Sequence, residues 1–466
     1  MVQKNILLIN PCLSDVYEGA KVKGAVPNYP PLGLLTISGS LLRENHKVSL
    51  LDFDVLGTKN QHEILRKKLV ESNPDIVAFG FGSPTYNQCK KMAKIIKEFN
   101  KDILIIAGGP HPSAEPQGVL NESCIDVVIY GEGDFAILDI LNTSDYNKVL
   151  GIGFKKNGKI IITPPRPFLQ NLDELPMPAF ELVNPYDYSA PPTFCRKKPL
   201  GGIETSRGCL WGCVYCTKAV FGKNFRYKSP QRVVDEFKHM VDLGYKELHI
   251  FDDLFVTNKE RAKEICKLLI EQKVDILWAC TNGIRADLVD AELIQLMYDA
   301  GCYRVAMGVE SGNQQVLNNL VKQQTLDKVR RAFKICNKIG IESYAYLMLG
   351  LPGETEETMQ DTIDFAKEIR PTIAKFGILT PLPSTPLYQE WKGKYIHEEN
   401  WDNVRYHNTK GTYTHPNLSH EIIEKYYKKA YRSFYFRPSY IINRFFWSLR
   451  QGQILNDLKL FLGTNW

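Results

Sequence analysis

The sequence predicts an α/β protein in three parts: an N-terminal flavodoxin- or Rossmann-like parallel sheet, a partial (β/α)6 barrel of TIM type, and a helical C-terminal extension. Two long alternations of short apolar runs with helix-patterned stretches predict the two sheets. A change to aromatic and basic residues beyond position 385 predicts the extension. At 466 residues the chain exceeds one ordinary core, so two or three such units are expected.

In residues 1–150 the apolar runs are Asn5–Asn10, Lys47–Asp54, Ile76–Gly82, Ile103–Gly109 and Val127–Gly133. Each is short and rich in Ile, Leu or Val, with helical patterns such as Lys90, Met92, Ala93, Ile96 and Phe99 between them. Ligands of open parallel sheets sit beyond the carboxyl ends of the strands. Those ends carry Asn10-Pro11, Gly82-Ser83-Pro84-Thr85, Gly108-Gly109-Pro110-His111-Pro112 and Gly131-Glu132-Gly133-Asp134. Glycines there let backbone approach a large flat ligand. A flavodoxin-like fold that binds another nucleotide, or nothing, is the plainer alternative, and His111 can equally be a loop histidine bonded to backbone.

Residues 151–199 read as a linker, with prolines at 164, 165, 167, 176, 178, 185, 191 and 192 that stop regular helices. Residues 200–385 repeat a strand–helix unit, with strands at Gly202–Thr205, Glu247–Asp252, Ile276–Thr281, Arg304–Val309, Tyr344–Leu349 and Lys375–Thr380. Ser229 before Pro230 is a helix start and Gly244 its end; Asp290 and Gly301 bracket another helix in the same way. Six units suggest an open barrel whose chemistry sits at the strand carboxyl ends. Those ends carry Asp252-Asp253, Asn282 with Arg285, Gly308-Val309-Glu310-Ser311-Gly312, and Gly350-Leu351-Pro352-Gly353-Glu354. Each acid lies just before a helix, so a helix cap is the alternative role for all of them.

The first barrel strand leads into Thr205-Ser206-Arg207-Gly208-Cys209-Leu210-Trp211-Gly212-Cys213-Val214-Tyr215-Cys216. Its cysteines stand with three and then two residues between them. Thiolates are soft ligands for iron–sulfur clusters and zinc. Three on one loop can hold three irons of a cubane and leave the fourth open to a small molecule. A zinc site would want a second Cys-x-x-Cys half or a His pair, and none is evident; three core cysteines are the other alternative.

This spacing, with Tyr215 before the last cysteine, resembles the signature of the radical S-adenosylmethionine (SAM) enzymes. The first half resembles the cobalamin-binding domain that precedes one large class of them, through Tyr29-Pro30-Pro31-Leu32-Gly33-Leu34, Gly108-Gly109-Pro110-His111-Pro112 and Tyr130-Gly131-Glu132-Gly133-Asp134. The resemblance implies a 4Fe-4S cluster on Cys209, Cys213 and Cys216, with SAM and cobalamin as further cofactors. It implies contacts to SAM from Tyr215, Asp252 (or Asp253), Arg285, Glu310 and Ser311. It places Ser83, Thr85, Gly108, Gly109, His111 and Glu132 at the cobalamin. One departure is plain: Asn10-Pro11-Cys12-Leu13-Ser14-Asp15 stands where many such domains carry Asp-x-His-x-x-Gly, so cobalt would lack that lower histidine ligand.

The activity implied is methylation of an unactivated carbon, begun by a radical that takes hydrogen from it. A cobalamin-dependent cyclase or rearrangement enzyme keeps both cofactors without methyl transfer. A methylthiotransferase would use a second cluster, for which Cys12, Cys89 and Cys124 are the available thiols. A cobalamin carrier without turnover is the non-enzymatic alternative. The expected partners are a small-molecule substrate, such as a lipid, isoprenoid or tetrapyrrole, and an electron donor such as flavodoxin or ferredoxin.

A net charge of +6 is modest for the length, so no nucleic acid is expected. Eleven scattered cysteines, no charged-then-apolar leader and no apolar run of membrane-spanning length predict a reduced, cytoplasmic protein. In residues 386–466, Tyr426-Tyr427, Tyr431, Phe434-Tyr435-Phe436 and Phe445-Phe446-Trp447 interleave with Lys428-Lys429, Arg432, Arg437 and Arg444. The plain reading is helices packing aromatics on the barrel; the sharper one is peripheral contact with lipid headgroups or a roof over an apolar substrate.

Overall fold

The computed structural model describes residues 2–13, 27–188, 190–191, 194–396 and 412–450, with 452, 454, 455 and 458 beyond them. Ser14 and Asp15 of the first loop lie outside the described residues.

The first sheet has seven strands: β1 (Asn5–Asn10), β2 (Lys47–Asp52), β3 (Ile76–Gly80), β4 (Leu104–Gly108), β5 (Val127–Ile129), β6 (Ile152–Lys156) and β7 (Lys159–Ile162), in the order β2-β1-β3-β4-β5-β6-β7. The first five run parallel. Alternate residues of β1 enter cores on opposite faces, Leu7 and Ile9 on one and Ile6 and Leu8 on the other. Both faces are therefore covered, which is why the strands read as continuous apolar runs. The chain departs from β1 in both directions, to β2 and to β3, and this reversal opens a crevice at the carboxyl ends.

The sheet does not stop at residue 150, where the linker was expected. β6 pairs antiparallel with β5, and β7 with β6. Asn157 (φ 51°) and Gly158 (φ 74°) form the tight turn between them, an Asn-Gly hairpin signal. The prolines take over only after Thr163, in short turns such as Leu172–Glu174 and Phe180–Leu182.

The second sheet begins with β8 (Leu200–Ile203). A two-residue ribbon follows, β9 (Ser206–Arg207) against β10 (Arg226–Tyr227). Then come β11 (Glu247–Ile250), β12 (Leu277–Ile284), β13 (Cys302–Glu310), β14 (Glu342–Leu349) and β15 (Ile373–Ile378). The order β15-β14-β13-β12-β11-β8, all parallel, is a six-stranded barrel left open between β8 and β15. The helix signals hold: Ser229 Oγ accepts from Arg232 N and Asp290 Oδ1 from Leu293 N, while Gly244 and Gly301 carry the positive φ of a helix end.

Helix His420–Tyr435 covers the free edge of β15. Tyr431 and Tyr435, one turn apart, donate hydroxyls to the carbonyls of Phe376 (3.0 Å) and Ala374 (2.8 Å). A bare strand edge is a template for aggregation, and this helix removes it. Ile423, Ala430 and Phe434 of the same helix enter the barrel core, as the plain reading of this region expects. From the other direction the N-terminal half reaches into the barrel: Tyr29 Oη lies 2.6 Å from Nδ1 of the fully buried His249. No described helix is long and apolar enough to cross a membrane.

Candidate active site

The cysteine loop leaves β9 at the carboxyl end of the barrel. Gly208 turns it with φ 84°, and a Cβ there would sit 2.2 Å from the Asn224 carbonyl oxygen, so glycine is required. Backbone bonds then tie the loop to both sides of the mouth. Val214 N donates to Leu320 O (3.1 Å), and Leu387 N donates to Val214 O (3.0 Å). Cys209, Cys213 and Cys216 are free thiols, each half-buried. Burial raises the Cys216 thiol, with Lys218 opposing. Burial lowers the Lys218 ammonium, but the charges of Cys216 and Cys209 and a hydrogen bond to Cys209 outweigh it and leave it above its ordinary range. Among the described residues no three His, Cys, Asp or Glu side chains converge on a single ion. A cubane takes each thiolate on a different iron. The half-buried donor set beside a lysine cation fits a cluster.

The strand ends around the loop divide into structural and open groups. Asp252 is buried and engaged through both oxygens: Oδ1 accepts Thr205 N (2.5 Å), and Oδ2 accepts the hydroxyls of Thr205 and Ser206 (2.6 Å each). It latches β8 to β11, which accounts for it without a ligand. Its neighbour Asp253 accepts Gly208 N (2.9 Å) and is the carboxylate at the cysteine loop. The Arg285 fork is likewise taken, by Asp287 (2.8 and 3.3 Å) and by the carbonyls of Lys322 (2.9 Å) and Gln323 (3.0 Å). Its guanidinium lies 4.3 Å from the Trp211 ring centroid, so it clamps the cysteine loop to the 322–323 turn. Ser311 Oγ is fully buried, bonded to Thr362 Oγ1 (3.1 Å) and accepting Asn313 N (3.1 Å).

Glu310 differs from these. It ends β13 at φ 66°, beside a register shift between Gly308 and Glu310. A non-glycine residue there is strained, and such strain gathers at functional sites. Its carboxylate accepts Lys322 Nζ (2.8 Å). Lys322 Nζ also reaches Tyr215 Oη (3.3 Å), so the Cys-Val-Tyr-Cys stretch touches this pair directly. Burial, then the charge of Glu310, raises the Tyr215 phenol well above its ordinary range. Lys322 was not picked out from sequence; it lies in a loop with no motif of its own.

At the β14 end Thr355 is the helix cap. Glu354 instead braces the turn, its Oε2 accepting Leu351 N (2.9 Å), while buried Oε1 has no hydrogen-bond partner among the described residues. Burial pushes its carboxyl from 4.5 to about 8, against the backbone bonds that favour the charge. The folded chain thus keeps a proton that the unfolded chain gives up, so stability falls as pH rises from about 4.5 to 8. Glu354→Gln should flatten that fall, by up to about 5 kcal/mol, in melting curves recorded from about pH 5 to 8.5.

A cavity of about 450 Å³ lies between the two halves. Gly80, Gly82, Gly108, Gly109, Gly131 and Gly133 line it at the carboxyl ends of the first sheet, and Glu204, Arg207, Phe221 and Phe251 close it from the barrel side. Gly109 has φ 99°, and a Cβ there would sit 3.0 Å from the Phe81 backbone N and O. Such a glycine cradle, with side chains absent and backbone bare, fits close approach by a large cofactor. Gly109→Ala should therefore cut corrinoid retention at least about tenfold while leaving iron content unchanged, read from the absorbance of desalted protein.

Three of the residues expected at this site lie elsewhere. His111 is buried, its Nδ1 2.9 Å from Ser83 Oγ and its ring against Tyr86 (4.6 Å). Thr85 Oγ1 donates to Gly82 O (3.2 Å). None of the three lines the cavity; they stiffen the loops whose glycines do. Glu132 does line it, but as part of an ionic lock. Its carboxylate accepts Arg226 Nη1 (2.7 Å), Arg207 Nη1 (3.1 Å) and Leu169 N (2.9 Å). Arg207 also holds Asp134 through two bonds (2.6 and 3.1 Å) and Glu204 through Nε (2.6 Å). Burial alone would raise the Asp134 carboxyl, but the Arg207 charge and hydrogen bond hold it below its usual range. Glu204 has burial prevailing over Arg207, and its carboxyl is raised. The Thr-Ser-Arg-Gly-Cys run put Arg207 in view, but nothing local showed its partners some 75 residues away.

The three thiols proposed for a second cluster do not converge among the described residues. Buried Cys12 and Cys89 share the core on one face of the sheet, whereas exposed Cys124 precedes β5 at the opposite edge. This removes the ligand set on which a methylthiotransferase reading depended.

A parallel sheet with a glycine-lined crevice, facing a barrel with a three-thiol loop, defines a two-cofactor architecture. Two family models match it: Radical SAM superfamily over residues 203–366 and B12 binding domain over residues 22–141. The chain belongs to the radical SAM superfamily, as a member with a B12-binding domain, and is a cobalamin-dependent radical SAM enzyme. Its cofactors follow: a 4Fe-4S cluster, SAM and cobalamin. It is 31% identical over 453 residues to the uncharacterized methyltransferase PH0819 of Pyrococcus horikoshii, covering 96% of this chain and 95% of the relative. It is 28% identical to the anaerobic magnesium-protoporphyrin IX monomethyl ester cyclase of Rubrivivax gelatinosus, over 80% of this chain and 67% of that one. In fold it resembles the cobalamin-dependent S-adenosylmethionine radical enzyme OxsB, with TM-score 0.74 and 17% identity over 98% of this chain and 72% of the other.

Proposed function

We propose that the enzyme methylates an unactivated carbon of a small, largely apolar substrate bound at the barrel mouth. The observation that carries this reading is the placement of the glycine-lined cavity. Arg207, two residues before Cys209, forms part of its barrel-side wall, so a corrinoid there and a cluster on the loop would share one chamber. When bound, the cluster with SAM supplies a radical able to take hydrogen from carbon, and the corrinoid supplies the methyl group.

The chain's own residues hold and orient. Cys209, Cys213 and Cys216 ligate irons, and Lys218 offsets their charge. Glu310, with Lys322 and Tyr215, is the polar contact for the ribose or methionine end of SAM. Asp253 replaces Asp252 as the acid facing the methionine amino group. Arg285 and Ser311 act as positioning residues behind these. Gly108 and Gly109 take the nucleotide tail of cobalamin. A reduced flavodoxin or ferredoxin is the electron donor this chemistry calls for.

Lys375 supports a substrate that carries an acid group. It lies mid-strand in β15 beside the rings of Phe194 (5.8 Å) and Tyr346 (6.0 Å), and burial lowers its ammonium below the ordinary range. No carboxylate among the described residues pairs with it. Similarity to a protein named as acting on a tetrapyrrole ester fits a ring-bearing, acidic substrate, and it also favours a second reading, cyclisation with both cofactors.

The test is product mass. Holoenzyme, reductant and SAM labelled in its methyl group are offered a tetrapyrrole carboxylate and a polyprenoid in separate assays. A product bearing one labelled methyl supports methyl transfer. A product that has lost hydrogen and carries no label replaces it with the cyclase reading.

A further inference from the structure

Helix Pro438–Arg450 meets the rest of the protein with one side only. Tyr440, Asn443, Arg444 and Trp447, spaced three and four apart, face a cavity of about 290 Å³. Arg437 and Ser439 at the start of the helix line it too, and Arg370, Pro371 and Thr372 line it from the turn before β15. Three guanidiniums therefore line it, and no carboxylate among the described residues does. Arg437 is fixed by bonds from Nε to the Phe434 carbonyl (2.9 Å) and from Nη1 to the Lys367 carbonyl (3.1 Å). Arg444 lies 4.1 Å from the Trp447 ring centroid. Burial, and more weakly the neighbouring Arg370 charge, pull the Arg437 guanidinium below its ordinary range against the opposing effect of Tyr440. Like charges gathered in a polar cleft favour an anion between them, and phosphate suits the guanidinium fork.

The other side of the same helix is apolar and bare. Ile441, Ile442, Phe445, Phe446 and Leu449 are each 48–55% exposed. Their spacing makes one contiguous stripe, of the kind soluble surfaces rarely leave open. Basic groups on one flank with a bulky apolar face on the other is the pattern of an interfacial helix.

We propose that this helix seats the enzyme on membranes containing anionic phospholipid, with the apolar stripe in the acyl boundary and lipid phosphate in the arginine cavity. The dimensions agree. A helix is about 10 Å across with its side chains, and an interfacial helix sinks roughly 5–10 Å. The cavity behind it then lies at headgroup level. Charge selects lipid over a second copy of the chain, because a copy pairing stripe to stripe brings no anion to the arginine side of the helix, whereas anionic lipid does. The proposal is independent of the reaction catalysed.

Flotation of the full-length holoenzyme tests it, with phosphatidylcholine vesicles and with phosphatidylcholine vesicles containing phosphatidylglycerol. The expected result is co-flotation with the anionic vesicles, weakened about tenfold by molar salt and by the double change Arg370→Gln and Arg444→Gln. Phe445→Ser with Phe446→Ser should abolish flotation while the circular dichroism and iron content stay those of the parent. No flotation with anionic vesicles overturns the proposal, and so does equal binding to both vesicle types. A vesicle-free dimer that Phe445→Ser with Phe446→Ser converts to monomer overturns it in favour of self-association.

Discussion

Arg207→Met will destabilise the protein by about 3–5 kcal/mol and loosen its grip on corrinoid. The guanidinium holds carboxylates from both halves: Glu132 and Asp134 beyond the first sheet, Glu204 beyond β8. All of them are buried or nearly so, and Arg226 remains only for Glu132. Removing the shared cation leaves Asp134 and Glu204 facing each other at the wall of the cavity. The loss has a pH signature. Asp134 contributes stability while ionised, and its lowered titration means that this contribution disappears only as pH falls below the usual carboxylate range. The deficit of the variant should thus be full at neutral pH and shrink only as pH drops below about 4, towards about 3. Urea denaturation at both pH values measures it. A deficit that does not change with pH would mean that lost packing against Phe221, 5.0 Å from the guanidinium, outweighs the lost charge pairing.

Cys213→Ala will abolish reductive cleavage of SAM, with no residual activity above background, and still leave corrinoid bound. The loop is held by backbone bonds at Val214 and by Arg285 against Trp211, so the fold does not depend on the thiol. Two remaining thiolates cannot hold a cubane with one open iron. The glycine-lined cavity is walled by the strand-end glycines and by Arg207, Val220 and Phe221, and Cys213 is not among its lining residues. The pair Cys213→Ala and Gly109→Ala should therefore separate the two cofactors: the first loses iron and keeps corrinoid, the second the reverse. Iron assay and visible absorbance on the same samples read both.

The strands were legible because each obeys one strong rule. A sheet buried on both faces needs continuous apolar runs, and such runs mark β1, β3 and β4. The barrel helices were legible through their caps, as at Ser229 and Asp290. The β6–β7 hairpin was passed over because its strands are short and half polar, although Asn157-Gly158 announced the turn. At the site, the thiol spacing and the glycines were local signals and could be read directly. The polar roles were not local. Asp252, Arg285, Ser311, Ser83, Thr85 and His111 occupy strand or loop ends where a ligand would bind, yet each spends its hydrogen bonds on neighbouring protein. Residues remote in sequence decide this, as Thr362 does for Ser311 and Lys322 for Arg285. Glu310 could be separated from the others only by its positive φ and its lysine partner, neither of which leaves a trace in the sequence.

One chain should hold a cluster with an open iron and a corrinoid in one shared chamber. Anaerobic reconstitution with iron, sulfide and hydroxocobalamin, followed by desalting and metal analysis, tests it most directly. The account predicts about four irons and about one corrinoid per chain. It also predicts that added SAM will perturb the spectrum of the reduced cluster through the open iron. About eight irons, or iron without retained corrinoid, would contradict it.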